Sequence, residues 1–321
     1  MKKGALVISL DFELVWGIFD HIEITDKVSY FKSTLSSIPK IATLFEKYSI
    51  HATWATVGML FNENWEEWQS NVPSLLPTYD NSLLNPYVYG NHHRNSNLDS
   101  FFFAPNIIKD LQTIPGQEIA THTYSHYYCL EKGQTVEQFD IDLQQAICIA
   151  QKFNISLQSL VFPRNQFNKD YLEVCSKNHI ETVRTNPDNW YWDVSKSETL
   201  FTKIVRSADA YLPLGKKSYL AHTLHPDAVV CQPASRFLRP QHSIGLLNSA
   251  RVLRINKEII AAAKNGEVYH LWWHPHNFGV DSVGALTALS RILDTYAYCR
   301  DTYGMKSLTM KQLKDSTFDL G

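Results

Sequence analysis

Two histidines in this sequence have the spacing of metal ligands. The segment HTYSH places His122 and His126 four residues apart. Residues at that spacing lie about 13 Å apart along a strand, but about 6 Å apart on a helical or tight turn. A turn would therefore let both imidazoles face one ion. Taken alone, such a pair is more often two surface histidines or two hydrogen-bonded core histidines, and the chain has 13 His in all.

Two carboxylates near the N-terminus supply a ligand type that the histidines lack. Asp11 and Glu13 flank Phe12, directly after an apolar run. Alternate residues of a strand share a face, so both acids can point at the same ion. Two acids at the end of a buried strand are costly without a cation nearby. One acid would then bind the metal while the other takes a proton from water; the alternative is that one of them caps the next turn.

A second pair of histidines lies near the C-terminus, in WWHPHN. His274 and His276 follow the apolar segment Val268–Trp273. An imidazole that titrates near neutrality suits protonation of a departing amine. Only one of the two is needed for that role, and the other then packs or forms hydrogen bonds. Asp188 or Asp193, in PDNWYWD, could orient such a histidine and raise its pKa.

Aromatic residues are candidates for contact with a sugar ring, because sugar rings pack on aromatic faces. Trp190, Tyr191 and Trp192 would form an apolar wall, although core packing explains them equally well. We expect a substrate to contact Trp190, Trp192, Trp273 and His276.

The elements that must position these side chains alternate between strands and helices. Short apolar runs predict strands, and helical periodicity predicts helices between them. The clearest helix is Val136–Phe153, because Thr135 and Gln138 form a capping box at its start. The predicted strands are Ala5–Leu10, His51–Val57, Glu118–Thr121, Leu157–Phe162, Glu181–Arg184 and Val268–Trp273. The other predicted helices are Phe31–Lys47, Asn106–Gln112, Lys169–Lys177, Leu247–Lys264 and Val283–Arg300.

This alternation predicts an α/β layered sheet or barrel, in which helices cover strongly apolar parallel strands. Catalytic side chains of such folds gather where the strands end. The two acids follow the first predicted strand, the HTYSH histidines the third, Arg164 the fourth and His274 the last. That coincidence favours a metal site with two histidines and a carboxylate, which leaves positions open for water and substrate.

Two segments interrupt the alternation. Residues 62–103 are polar and rich in Asn, Trp and Tyr, and residues 188–243 are also irregular. Loops this long are functional lids or insertions, or else contain secondary structure without a clear pattern. The sequence has no repeat and no linker. We therefore expect one domain over residues 1–321, with residues 62–103 as an insertion after the second strand.

Composition narrows the class of protein. With 321 residues, 44% hydrophobic and 19% charged, the chain is typical of a globular enzyme. A net charge of -2 with interspersed signs argues against a nucleic-acid partner. No apolar stretch approaches about 20 residues, so we expect no integral membrane segment. Five scattered cysteines without a CxxC pair are expected to be reduced, which favours the cytoplasm.

In their order along the chain, these motifs resemble the polysaccharide deacetylase (chitooligosaccharide deacetylase-homology) family. DFE, HATWATVG, EIATHTYSH, VFPRNQ and HLWWHPH stand where the family has TFDD, ATFFVxG, GxExxxHTxxH, RxPxG and a late LxH-type segment. The resemblance covers about residues 5–276, and SLTMKQL is similar to the closing strand of the family. The HTYSH motif, preceded by Glu118 in E-x-x-x-H, is the most specific of these.

The resemblance implies a distorted parallel (β/α) barrel of about seven strands with surrounding helices, and a divalent metal, most often Zn2+. Asp11 resembles the general base of the family, and His274 the general acid. His122 and His126 resemble the metal histidines. Thr123 occupies the hydroxyl position of HTxxH and is expected to support the loop.

Two positions depart from the family pattern. Phe12 stands where the family has its second aspartate and cannot bind a metal. Glu13 is its natural replacement, as in relatives with DxD or DxE. Val161 stands where the family has its arginine, so we expect Arg164 to supply the guanidinium that positions Asp11.

The sequence thus predicts a metal-dependent hydrolase that removes an N-acetyl group from an amino sugar. Residues 62–103 are not part of the common family core, so the sugar is not implied. We expect an intermediate of surface-polysaccharide or lipopolysaccharide synthesis, free, nucleotide-linked or lipid-linked. N-deformylation, O-deacetylation and hydrolysis of a small non-sugar amide are alternatives. So is a non-catalytic carbohydrate-binding role, which Phe12 and Val161 favour. The oligomeric state is left open.

Overall fold

Strands and helices alternate along the chain in the order expected from its apolar runs. The computed structural model describes residues 3–94, 96–187, 189–192, 199, 201–202, 205, 209, 211, 215–225 and 227–318. The strands are β1 Ala5–Phe12, β2 Ala52–Thr56, β3 Gln117–Thr121, β4 Ser159–Val161, β5 Thr182–Thr185, β6 Val230–Pro233, β7 Arg236–Phe237, β8 Val268–Trp273 and β9 Lys306–Leu308. The helices are α1 Val28–Tyr48, α2 Trp65–Ser70, α3 Pro86–His93, α4 Pro105–Thr113, α5 Val136–Gln151, α6 Lys169–Lys177, α7 Gly245–Asn265, α8 Ser282–Tyr303 and α9 Met310–Phe318.

All of these strands belong to one parallel sheet. Its order is β6-β5-β4-β3-β2-β1-β8-β7, and β9 pairs with β1. β1 is central, since it pairs in parallel with β2, β8 and β9. Parallel strands connected by helices form the predicted α/β barrel, and that prediction is confirmed.

A single stretch of chain closes the sheet into a distorted barrel. β6 pairs with β5, whereas β7 pairs with β8, and only Ala234 and Ser235 separate β6 from β7. The N–H of Ala234 donates to the Thr185 carbonyl at 2.9 Å, and the N–H of Ser235 donates to the His270 carbonyl at 2.8 Å. We call residues 230–238 the seam segment, because they join the two edges of the sheet.

The helix boundaries follow local sequence signals. The capping box of α5 is present: the Thr135 hydroxyl accepts from the Gln138 N–H at 3.2 Å, and the Gln138 side chain accepts from the Thr135 N–H at 3.1 Å. α7 ends where Gly266 adopts a left-handed conformation with φ of 68°. Among the described residues, no helix combines the length and the hydropathy that crossing a membrane requires.

Residues 62–103, predicted as an insertion without periodicity, contain α2 and α3. Their aromatic side chains pack into the main hydrophobic core. Trp68 stacks on Trp16 with ring centroids 6.4 Å apart, and Trp65 lies 4.7 Å from the Phe102 ring. The indole N–H of Trp16 also donates to the Phe102 carbonyl at 2.8 Å. This segment therefore holds the chain that follows β1 in place.

Candidate metal centre and active site

The side chains of β1 alternate between the barrel interior and the helix layer. Leu10 and Phe12 belong to the core under the helices, where Phe12 meets the edge of Trp54 at 6.2 Å. Asp11 and Glu13 face the opposite way, into the barrel. The position where the family has a second aspartate is thus a packing position in this chain.

Glu13 lies against both histidines of HTYSH. Its Oε2 is 3.3 Å from His122 Nε2 and 3.1 Å from His126 Nε2. All three side chains are 2–3% exposed. The carboxylate fits because residue 17 is glycine: a Cβ on Gly17 would lie 1.9 Å from Glu13 Cδ. Any side chain at position 17 would therefore occupy the space of the Glu13 carboxylate.

HTYSH follows β3 as a tight turn, which brings the two imidazole centroids to 5.0 Å. Thr123 and His126 adopt left-handed φ values of 63° and 59°. Asp142, on α5, stabilises this strained turn. Its carboxylate accepts from the N–H of Tyr124 at 2.8 Å and from the N–H of Ser125 at 3.1 Å. Burial raises the pKa of Asp142 to about 6, even though these hydrogen bonds favour its charged form.

Thr123, expected to support this loop, lies at its base. Its hydroxyl oxygen accepts from the N–H of Tyr127 at 2.7 Å. Its carbonyl accepts from the N–H of Gly58 at 2.9 Å, which ties the turn to the end of β2.

The donor set fits a divalent metal ion. His122 Nδ1 lies 2.7 Å from the Val161 carbonyl, so the Nδ1–H donates there and the lone pair of Nε2 faces Glu13. Two imidazole nitrogens and one carboxylate oxygen are ligands of catalytic zinc. The Glu13 oxygen lies 3.1–3.3 Å from each of the two imidazole nitrogens, so all three side chains could hold one ion.

The charges of these groups suit metal binding. Burial alone would raise the pKa of Glu13, but the charge of His274 and the adjacent imidazoles of His122 and His126 lower it well below its usual value. Burial lowers the pKa of His126. An ionised carboxylate beside a neutral imidazole is the protonation state that a metal requires.

Asp11 is held by Arg184 of β5. The guanidinium donates to Asp11 Oδ1 at 2.6 Å and to Oδ2 at 2.7 Å. Burial alone would raise the pKa of Asp11, but the charge and hydrogen bonds of Arg184 lower it, with a contribution from His122. A buried, ionised carboxylate in a fixed orientation can accept a proton.

Arg184 is itself fixed from below. It donates to Ser9 Oγ at 3.1 Å, and its Cζ lies 4.0 Å from the centroid of Trp272. Ser9 Oγ lies 2.8 Å from Nε2 of His270, which is fully buried. Burial, with the charge of Arg184, lowers the pKa of His270 to about 3, so this imidazole is neutral.

His274 reaches the acids from the end of β8. Its Nε2 is 3.6 Å from Asp11 Oδ2 and 3.7 Å from Glu13 Oε1. Its side chain is 23% exposed, far more than that of either acid. His276 stacks on it with centroids 4.9 Å apart and places Nδ1 3.5 Å from Glu13 Oε1. A partly exposed imidazole beside a buried carboxylate can pass a proton to a leaving group.

Comparison with known families identifies the family of this chain. The family model described as "Polysaccharide deacetylase" matches residues 19–183, which is just over half of the chain and includes the HTYSH turn. The chain belongs to the polysaccharide deacetylase family. No curated protein matches the sequence.

Solved structures share the fold of this family member at low identity. A Mycobacterium smegmatis protein assigned to the polysaccharide deacetylases is 13% identical, with a TM-score of 0.63 over 99% of this chain and 91% of the other. A Pseudomonas aeruginosa PAO1 protein with the same assignment is 9% identical, with a TM-score of 0.57 over 98% and 91%. An allantoinase is also 9% identical, with a TM-score of 0.57 over 99% and 91%.

The expectation that Arg164 positions Asp11 is wrong. The Arg164 guanidinium bonds to the carboxylate of Asp20 and lies 3.2 Å from Glu131 Oε1. It stacks on Tyr128 with Cζ 4.1 Å from the ring centroid. Arg164 follows the short strand β4 and adopts a left-handed φ of 54°, which turns it away from Asp11. The guanidinium comes one strand later, from Arg184.

The residues predicted to contact the substrate lie in different environments. Trp273 is fully buried against Phe45 and Phe278, so it cannot touch a substrate and that prediction is wrong. Trp272, on the opposite face of β8, lies beside the active site. Trp192 lines an adjoining cavity. The side chain of Trp190 lies outside the described part of the chain, as do Asp188 and Asp193.

Arg184 and Trp272 were missed, although the sequence contains a signal for each of them. In β8, residues 270, 272 and 274 alternate with the core residues Leu271 and Trp273. Applied to this strand, the rule that placed Asp11 and Glu13 on one face would have assigned Trp272 to the barrel interior. Arg184 was the last residue of a predicted strand, which is where polar groups of such folds collect.

Proposed function

We propose that this chain is a metal-dependent amide hydrolase that removes an N-acetyl group from an amino sugar. The observation that carries the proposal is the placement of two acids with separate partners at the end of β1. Glu13 contacts two histidines that are suited to bind a metal. Asp11 pairs with Arg184 and lies beside His274. A bound zinc ion would polarise the acyl carbonyl and acidify a water molecule.

The residues divide the proton transfers between them. Glu13, His122 and His126 would hold the ion. Asp11, ionised and oriented by its two bonds to Arg184, accepts the proton of the attacking water. His274 donates a proton to the departing amine.

We infer that a backbone N–H near Arg164 or Asn165 stabilises the oxyanion. The Asn165 N–H donates to the Phe162 carbonyl at 2.9 Å, so we assign this role to the N–H of Arg164.

Aromatic rings beside His274 support a sugar substrate. Phe237 and Trp272 each lie 5.6 Å from the His274 ring centroid. Sugar rings pack on such faces. We propose an intermediate of surface-polysaccharide or lipopolysaccharide synthesis, used in the cytoplasm. All the cysteines are free thiols, which supports that compartment.

Acyl release tests the proposal directly. The zinc-loaded protein is incubated with N-acetyl and N-formyl amino sugars in free, nucleotide-linked and lipid-linked form, and released acetate and formate are measured. We expect acetate. Formate alone would replace the acetyl assignment, and no release from any sugar by metal-loaded protein would refute amide hydrolysis.

Two variants test the roles of the acids and histidines. His126→Ala should abolish zinc retention, measured as bound metal after dialysis, because it removes a ligand. Asp11→Asn should retain zinc but lose turnover by at least about 100-fold, because an amide is not a base. Full activity of Asp11→Asn would show that the base is another group.

A further inference from the structure

The Glu13 carboxylate has one oxygen that lies away from the histidines of the HTYSH turn. Its Oε2 faces His122 and His126, whereas Oε1 faces the two histidines that follow β8. Oε1 lies 3.7 Å from His274 Nε2 and 3.5 Å from His276 Nδ1. The two oxygens of one carboxylate therefore lie against two different pairs of imidazoles.

His276 Nδ1 is a buried nitrogen that has no hydrogen bond within the described part of the chain. The residue is 5% exposed, and the Thr34 hydroxyl donates to its carbonyl at 3.4 Å. A buried polar atom usually has a partner, because leaving it without one costs about 1–3 kcal/mol. A cation between this nitrogen and Glu13 Oε1 would supply that partner.

His274 completes a second set of three ligands. One ligand atom each from Glu13, His274 and His276 lies within 4.8 Å of the other two. The His274 side chain is 23% exposed, so its ring can shift toward an ion and an ion can reach it from solvent. Two imidazole nitrogens and one carboxylate oxygen are a zinc ligand set, and some hydrolases hold two neighbouring ions.

We propose that Glu13, His274 and His276 form a second divalent-cation site, which shares the Glu13 carboxylate with the site at the HTYSH turn. The second ion binds more weakly than the first, because two cations on one carboxylate repel each other. It also occupies the His274 nitrogen that donates a proton to the departing amine, so excess metal inhibits hydrolysis. This inhibition rests on the proposed function, whereas binding of the second ion does not.

Metal stoichiometry tests the site without reference to activity. Metal-free protein is dialysed against buffers of increasing free Zn2+, and the zinc bound per chain is measured by mass spectrometry. We expect one ion at low free zinc, and a second at a concentration at least about tenfold higher because of the repulsion between the ions. Saturation at one ion would overturn the proposal.

Variants show which residues hold which ion. His276→Gln should lose the second ion and keep the first, and His274→Gln repeats this test at a less buried position. His126→Ala should keep only the weaker ion, and Glu13→Gln should weaken the binding of both. His92→Gln removes an exposed histidine and is the matched control, which should still bind two ions. Two ions bound by either His276→Gln or His274→Gln as tightly as by the unchanged protein would contradict the proposed ligands.

Acyl release at increasing free zinc tests the inhibition, with each rate expressed relative to that of the same protein with one bound ion. The rate should fall at least about tenfold as the second ion binds, because the general acid is lost. His276→Gln should need at least about tenfold more zinc for the same loss, because one ligand is missing. Two bound ions without acyl release from any sugar would keep the second site and reject the hydrolase. Acyl release by a protein that saturates at one ion would reject the second site alone.

Discussion

Two carboxylates separated by one residue have different partners in this protein. Glu13 is surrounded by histidines, whereas Asp11 forms a bidentate pair with Arg184. Both lie at the end of the same strand and both are buried, so their partners alone distinguish a ligand from a base. Arg184 therefore keeps the Asp11 carboxylate ionised and fixes its orientation.

Removal of Arg184 should change the pH profile as well as the rate. Without the guanidinium, burial remains and the pKa of Asp11 rises, so Arg184→Gln should move the acid limb of kcat/KM to higher pH. We also expect kcat to fall by at least about 100-fold, because Asp11 loses the two hydrogen bonds that orient it as a base. The measurement is kcat/KM between pH 5 and pH 9, with zinc content as a check.

Arg164→Gln is the matched control for that variant. Arg164 contacts Asp20 and Glu131 instead of Asp11, so its removal should leave the acid limb in place. Equal displacement of the limb in both variants would contradict the assignment of Arg184 to Asp11.

At the scale of elements, the geometry of the metal histidines depends on one helix. α5 carries Asp142, whose carboxylate holds the backbone of the HTYSH turn. The two left-handed residues of that turn are costly without such an anchor. The helix thus controls where the imidazoles point, although it contributes no ligand.

Asp142→Ala should weaken zinc binding. It leaves two N–H groups of the turn without their acceptor, so Thr123 and His126 lose their fixed conformations. We expect about a 10–100-fold loss of zinc affinity, measured by competition with a chromophoric chelator. Asp140→Ala on the same helix is the control, since Asp140 bonds to Lys177 away from the turn. Unchanged zinc affinity in Asp142→Ala would show that the turn keeps its conformation without Asp142.

The sequence predicted the long strands well and the short ones poorly. Val268–Trp273 has a continuous apolar run, and its boundaries agree with the structure. β6 and β7 were missed because neither forms an apolar run: β6 reads VCQP, and β7 has only two residues. Pro233 further disguises β6, since proline is rare inside strands.

The candidate site was partly predictable for a related reason. Four site residues lie in two short segments, and their spacing alone indicates a metal site. They are Asp11, Glu13, His122 and His126. Arg184 lies 173 residues from its partner, and only the closure of the barrel brings them together. The alternation that leads back from His274 places Trp272 on the face of the catalytic groups and Trp273 in the core.

For the molecule as a whole, the buried neutral histidine His270 couples stability to pH. Its pKa is about 3 in the folded state and about 6.5 when unfolded, so the unfolded chain binds more protons between those values. The free energy of unfolding therefore rises with pH through this window. On acidification from pH 7 to pH 5, this residue alone should cost about 2 kcal/mol.

On acidification from pH 7 to pH 5, His270→Gln should lose about 2 kcal/mol less stability than the unchanged protein. The comparison is urea unfolding of metal-free protein at pH 5 and pH 7, with His92→Gln as an exposed histidine control. The same decrease in all three proteins would show that His270 is not the buried proton acceptor.

The seam segment forms a cavity wall that is separate from the strands that carry the proposed hydrolytic groups. The proposed base stands on β1 and the proposed metal ligands directly after β1 and β3, whereas the cavity wall comes from the seam segment and from α7. Adding one residue at that join would displace the cavity wall by about 3.3 Å. The hydrolytic groups would keep their mutual distances. A change in the length of this connection can thus reshape the cavity without rebuilding the reaction centre.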